Sequence, residues 1–204
     1  GRIGKRAMET RIKTGLTRRE FLANAGAAGA AIAIGFPVFG KEELSPTESN
    51  AEGPFYREGA PWRENFSEGL KGTPLSVSGK VLSTEGTPIE GAVVDLWHAD
   101  GSAEYDNDSD KFFCRGRLKS GKDGAYAYET IVPGRYDLDG DGPGKAVRPA
   151  HIHYKISAKG FKPLTTQLYF KGDKALETDS LVRKSLTVDL KDGKAVFHGV
   201  LAPK

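Results

Sequence analysis

Beyond about residue 50 this chain is cut into short runs between turn signals, and none of them carries a long helical periodicity. Leu75, Val77, Gly79 and Val81 alternate with Ser76, Ser78 and Lys80, the period of a strand with one buried face. Glu85-Gly86-Thr87-Pro88 marks a turn. Residues 92–97, 126–131, 151–157, 165–170, 186–188 and 195–201 read as further strands, and Pro133-Gly134 ends one of them. With 26 glycines and 11 prolines among 204 residues, the pattern predicts an all-β fold, a β-sandwich of mostly antiparallel strands. The length allows one such domain, 52–204, with a real core, behind a leader at 1–40 and a linker at 41–51.

Charge separates the leader from the rest. The formal net charge is +3, yet residues 1–41 alone hold eight basic and two acidic side chains. Residues 42–204 carry 22 basic against 25 acidic groups, and no basic stripe interleaved with aromatics, so nucleic acid is not an expected partner. Thr17-Arg18-Arg19-Glu20-Phe21-Leu22, followed by an Ala/Gly-rich run to Phe39, has the charged-then-apolar order of an export signal. The Arg-Arg pair resembles a twin-arginine signal, which makes export machinery a partner and the periplasm or exterior the destination. An uncleaved leader would anchor the chain, although Asn24 and the many small residues make that span weak.

Cys114 is the only cysteine, which excludes an intrachain disulfide and a multi-Cys metal site, and reads as a packed thiol. Asp137-Leu138-Asp139-Gly140-Asp141-Gly142 imitates the start of a calcium loop, but positions 7 and 12 fall on Pro143 and Arg148. It reads as an acidic turn. His98 and His198 have no partner in sequence and suit capping or supporting roles.

His151-Ile152-His153 is different. On a strand the two imidazoles point the same way and Ile152 points into the core. Neutral imidazole ligates Zn, Cu, Fe and Ni, and Arg148 three residues earlier disfavours the protonated form. Two histidines bonded to structural neighbours would show the same spacing. Two completions of a metal site are chemically distinct. A carboxylate such as Asp95 would make the facial triad of a 2-His-1-carboxylate Fe(II) oxygenase. Phenolates are the other choice. Tyrosine titrates near 10, so its ligation at neutral pH calls for a strongly Lewis-acidic ion, and Fe(III) is one. Tyr105 and Tyr136 lie in turn-rich segments just beyond strands, where sites are usually mounted. Tyr126, Tyr128, Tyr154 and Tyr169 lie within strand patterns, where packing is the better reading.

These segments, in order, resemble the intradiol ring-cleavage dioxygenases, the catechol and protocatechuate 3,4-cleaving group. The resemblance runs from Glu52-Gly53-Pro54-Phe55-Tyr56 through Ile89–Trp97, Tyr105-Asp106-Asn107, Arg115-Gly116-Arg117 and Tyr128–Tyr136. Arg148-Pro149-Ala150-His151-Ile152-His153 and Thr166-Gln167-Leu168-Tyr169-Phe170 complete it. It implies a mononuclear, non-haem Fe(III) cofactor held by Tyr105, Tyr136, His151 and His153. It also implies that Arg148 and Gln167 stand beside the ring being cleaved, that Tyr136 leaves the metal as a base, and that Gly53, Pro54 and Tyr56 line the substrate pocket. The implied substrates are a small catechol-type diol and O₂, and the product is a muconate-type diacid. No helical region precedes the sandwich as it does in catechol-cleaving relatives, so oligomeric state is open. The acidic stretch from Asp137 to Val147 borders the site, so substrate identity is not transferred. Beside this stand the Fe(II) oxygenase reading and a secreted prealbumin-like sandwich that binds carbohydrate or protein without catalysis.

Overall fold

The computed structural model describes residues 43–137 and 147–204. The leader and most of the acidic 137–147 stretch, with its calcium-loop motif, lie outside the described residues. In chain order the described strands are β1 (Pro74–Ser83), β2 (Val93–Trp97), β3 (Arg115–Lys119), β4 (Ala125–Ile131), β5 (Tyr136–Asp137) and β6 (Val147–Arg148). Then come β7 (His151–Ser157), β8 (Leu164–Phe170), β9 (Thr187–Val188), β10 (Lys194–Val196) and β11 (Gly199–Leu201). One sheet joins β4, β1, β10 and β11; the other runs β3-β2-β7-β8-β9; β5 and β6 form a separate ribbon. The expected all-β sandwich is present, and its longer pairings are antiparallel, while β10, β11 and β9 join their neighbours in parallel.

The alternation in β1 does what a period of two requires: Leu75, Val77 and Val81 are at most 1% exposed, between partly open neighbours. They meet Val94 and Leu96 of β2, Ile152, Tyr154 and Ile156 of β7, and Leu168 of β8 in one core. Tyr128 and Tyr154 bond to each other through their hydroxyls inside it, and Tyr126 donates to the Phe197 carbonyl at 2.6 Å.

Two elements differ from the sequence expectation. β3 is a strand although Arg-Gly-Arg-Leu-Lys has no apolar alternation; it pairs along its whole length with β2. The single run expected at 195–201 is two strands, each parallel to a different part of β1. The break falls where Phe197 crosses Gly79, whose missing Cβ would sit 1.7 Å from the Phe197 carbonyl oxygen. Only glycine permits that approach.

Residues 43–51 lie bonded to the sandwich. Leu44 N donates to Thr84 O, Thr47 N to Val200 O and Asn50 N to Thr165 O, and Thr166 Oγ1 donates to Glu48 O at 2.7 Å.

Candidate metal centre

β7 buries both of its faces. Ile152, Tyr154 and Ile156 fill the core, while His151 and His153 face away from it and are still only 2% and 1% exposed. Register sets their neighbours: His151 lies opposite Tyr169, and His153 sits between Gln167 of β8 and Trp97 of β2. The ribbon places Tyr136 opposite Arg148, and the β2–β3 connection brings in Tyr105.

Four rings converge here. Ring centroids are 4.9 Å apart for His151 and His153, 5.5 Å for Tyr136 and His151, 5.9 Å for Tyr105 and Tyr136, and 6.4 Å for Tyr105 and His153. Tyr105 Oη is 3.3 Å from His151 Nε2. Adjacent donors bound to one metal at about 2.1 Å stand about 3 Å apart, so that pair is already near ligand spacing.

The proton positions suit ligation. His151 Nδ1 is 2.7 Å from the Pro149 carbonyl, which can only accept, so Nδ1 carries the proton and Nε2 keeps its lone pair. His153 Nδ1 is buried without a partner. Burial, then the cation of Arg148, lowers His151 to about 4. Burial, then His151 and Arg148, holds His153 well below the usual range. Burial, then Tyr136, pushes Tyr105 well above the ordinary phenol value. Two neutral imidazoles beside a phenol that cannot ionise alone form a pocket lacking one strong positive charge. A highly charged cation is the group that fits, because it takes the imidazole lone pairs and makes the phenolates affordable.

Around the rings, a polar network orients Arg148. Its Nε donates to Asp179 Oδ2 at 2.7 Å, and Nη2 donates to Gln167 Oε1 at 2.9 Å and Tyr169 Oη at 3.1 Å. Gln167 Nε2 donates to Ala51 O at 2.7 Å, which fixes the amide's orientation. Tyr169, read from sequence as a packing residue, therefore has a polar role at its hydroxyl. The 52–56 segment covers the rings. A Cβ on Gly53 would be 3.5 Å from His153 Cε1, and Gly53 takes a φ of +73°. Pro54 is exposed in the following turn. Phe55 stacks on Tyr105 at 4.2 Å and meets Tyr136 edge-on at 6.4 Å. Tyr56 turns the other way: its ring packs on Trp97, Lys155 Nζ lies 3.7 Å over it, and its hydroxyl donates to Asp95 at 3.1 Å. Fully buried Arg115 ties this segment to the Tyr105 loop, donating to the carbonyls of Phe55 and Asp106.

Sequence reasoning missed Phe55, Trp97, Arg115 and Asp179 as parts of the site. Their partners are far away in sequence; Phe55, Trp97 and Arg115 lie in segments that carry the resemblance, and Asp179 lies outside all of them. The carboxylate-completed site is corrected: Asp95 is engaged by Tyr56, and among the described residues no three His, Cys, Asp or Glu side chains gather around a centre. His98 is a buried structural histidine between Ala99 O (2.7 Å) and Thr130 Oγ1 (2.8 Å). Exposed His198 accepts from the Lys80 backbone through Nδ1. Cys114 is buried and its thiol is pushed up to about 12 by that burial, the inert thiol expected.

A family model described as "Dioxygenase" matches residues 51–196. The chain is 39% identical over 160 residues to 6-chlorohydroxyquinol 1,2-dioxygenase of Cupriavidus pinatubonensis, covering 70% of this chain and 58% of that protein. Hydroxyquinol 1,2-dioxygenase of Pseudomonas putida superposes with a TM-score of 0.72 at 32% identity, over 79% of this chain and 68% of the other. The dioxygenase domain of a dioxygenase–carbohydrate-binding fusion from Streptomyces sp. SirexAA-E gives 0.68 at 34% identity, over 78% of this chain and all of that domain. Sandwich, ring cluster and these matches together make the chain a member of the intradiol ring-cleavage dioxygenase family, which uses non-haem iron. It spans about three fifths of the chlorohydroxyquinol enzyme's length.

Proposed function

We propose that this chain cleaves a catechol-type diol between its two hydroxyl-bearing carbons, adding both atoms of O₂ to give a muconate-type diacid. The observation that carries the reading is the convergence of Tyr105, Tyr136, His151 and His153, with ring centroids of neighbouring pairs 4.9–6.4 Å apart. Those four residues would hold one Fe(III), and the bound ion would supply the Lewis acidity that lets the diol bind ionised and draws ring electron density toward O₂. The overall reaction balances as diol plus O₂ to diacid, with no external reductant.

The chain's own groups divide the remaining work. Tyr136 Oη takes a diol proton, as the less enclosed of the two phenols: Phe55 stacks flat on Tyr105 but meets Tyr136 only at its edge. Arg148 stabilises negative charge that builds on the opening ring. Gln167, held by Ala51 and Arg148, orients the diol. Gly53 and Phe55 keep bulk water from the rings. The substrate panel starts with catechol and adds hydroxyquinol and chlorinated diols, the compounds in the relatives' names. Protein loaded with iron is expected to bind one iron per chain, show a tyrosinate-to-Fe(III) band in the visible, and consume O₂ with a diol while forming the diacid. A colourless iron-loaded protein ends the reading.

The twin-arginine pattern at Arg18-Arg19 supports export of the folded enzyme to the periplasm or beyond. Its test is fractionation of cells expressing the full chain. Changing Arg18→Lys together with Arg19→Lys is expected to leave the enzyme in the cytoplasm, and unchanged export ends this part.

A further inference from the structure

We infer that Asp179 is a positioning residue for ring cleavage, clamping Arg148 so that one free guanidinium edge is presented to the reacting diol. The inference rests on the ring-cleavage reading and adds to it a residue from outside the sequence segments that pointed to the site.

Asp179 lies two residues past the first of two 3-10 helices, Lys174–Glu177, in the connection between β8 and β9. Its Oδ2 accepts from Arg148 Nε at 2.7 Å, and the two side chains are 3% and 4% exposed. Its other oxygen is used too: Leu181 N donates to Oδ1 at 2.8 Å, and the Asp179 N–H donates to Ala175 O. The carboxylate is therefore fixed before it meets the guanidinium.

The consequence lies in the distribution of donors. An arginine has five N–H groups in a rigid plane. Nε is taken by Asp179, and Nη2 by Gln167 Oε1 and Tyr169 Oη. Tyr169 Oη itself donates to Gln167 Oε1 at 2.8 Å and accepts from Asn50 Nδ2 at 3.3 Å. Among the described residues Nη1 has no partner, so its two N–H groups remain to meet developing charge. Gln167 and Tyr169 are neutral acceptors on one nitrogen and would let the plane swing about that contact. Asp179, on the far nitrogen, stops it. It also balances the buried positive charge, which would otherwise stand uncompensated among neutral groups. Fixed dipoles and charges in a dry site act most strongly when they need not reorganise as the transition state forms.

Asp179→Asn, Asp179→Glu and, as a control in the same connection, Thr178→Ala test this in the iron-loaded enzyme. Among the described residues Thr178 Oγ1 bonds only within its own turn, to Ala175 O. The Asn variant is expected to lose about 10–100-fold in kcat with KM changed less than about threefold, the scale for groups that orient a reacting residue. The Glu variant, which restores the charge, is expected to recover part of that loss, and Thr178→Ala to behave as wild type. A second readout needs neither iron nor turnover. The Arg148 Nε–H resonance of the iron-free protein, assigned by its absence in Arg148→Lys, is expected to be exchange-protected in wild type and to lose protection in Asp179→Asn. Unchanged kcat in Asp179→Asn, equal kcat losses in the Asn and Glu variants, or a kcat loss matched by Thr178→Ala would overturn the inference. If wild type cleaves no diol while the Arg148 resonance is protected, it is the ring-cleavage reading that fails.

Discussion

The Trp97 indole lies flat against the imidazole of His153, centroids 4.8 Å apart and planes 6° from parallel. Trp97 is 1% exposed, and its Nε1 is buried without a partner. A large side chain that leaves a donor unsatisfied is held there for its face. That face, with Gly53 against the Cε1 edge, sets the plane in which His153 offers its lone pair.

Trp97 variants should therefore separate packing from ligand orientation. Trp97→Ala is expected to cost about 3–5 kcal/mol of stability, the range for a buried aromatic, and to weaken iron binding about tenfold. Trp97→Phe keeps a flat ring and removes the unsatisfied donor, so its cost should stay near 1–2 kcal/mol with iron binding retained. Denaturant melts and iron titration measure both. Equal iron affinity in the two variants would mean the stack does not orient His153.

If both tyrosines hold the iron as proposed, they should still be unequal in turnover. Tyr136→Phe and Tyr105→Phe are each expected to weaken and shift the visible band. Only Tyr136→Phe should also remove a base, lowering kcat by about 10²–10⁴-fold. Stopped-flow spectra with catechol would reveal the difference.

Acid should destabilise the iron-free protein before carboxylates become the issue. Burial lowers His98 to about 4, and burial with Arg148 lowers His151 to about 4. The unfolded chain titrates both near 6.5. Between those values the unfolded chain binds protons that the folded chain refuses, so stability falls as pH drops through the window and levels off below it. Each group contributes at most about 1.4 kcal/mol per pH unit. Chemical denaturation from pH 7 to pH 4.5 reads the slope, and His98→Gln should make it shallower. A slope unchanged in that variant would remove His98 from the account.

At Tyr56 the resemblance and the geometry part company. The resemblance puts it in the substrate pocket, while here its hydroxyl is on Asp95 and its ring is between Trp97 and Lys155. Asp95 is 9% exposed and burial raises its pKa even with that bond. Tyr56→Phe is expected to cost about 1–2 kcal/mol in stability and to leave KM within about threefold. A larger rise in KM with unchanged stability would return Tyr56 to the substrate.

The strand-borne half of the site is readable in the sequence because a strand's period is fixed. His-Ile-His can only send both imidazoles to one face, and the register with β2 and β8 follows from the sandwich. Tyr105 lies in the β2–β3 connection and Tyr136 in a two-residue strand, neither long enough to show a period, so their turn-rich surroundings and the likeness to known sequences were the only signals. Trp97 and Phe55 read as apolar residues, and nothing local says that one backs a histidine and the other a tyrosine. Asp179 is one acid among 27 acidic residues, and its meaning comes from Arg148, 31 residues away. β3 stayed hidden for a related reason: buried Arg115 spends its charge on carbonyls of other loops, which no alternation rule detects.

The strap at 43–51 has a practical consequence. Ala51 supplies the carbonyl that holds Gln167, Asn50 donates to Tyr169, and Glu48 accepts from Thr166. A shortened version begun at residue 52, the domain start expected from the sequence, would strip three supports from β8 and from the arginine it steadies. Loss of those bonds is expected to loosen the hold on Gln167 and Tyr169, so expression designs and fusion junctions belong upstream of residue 43.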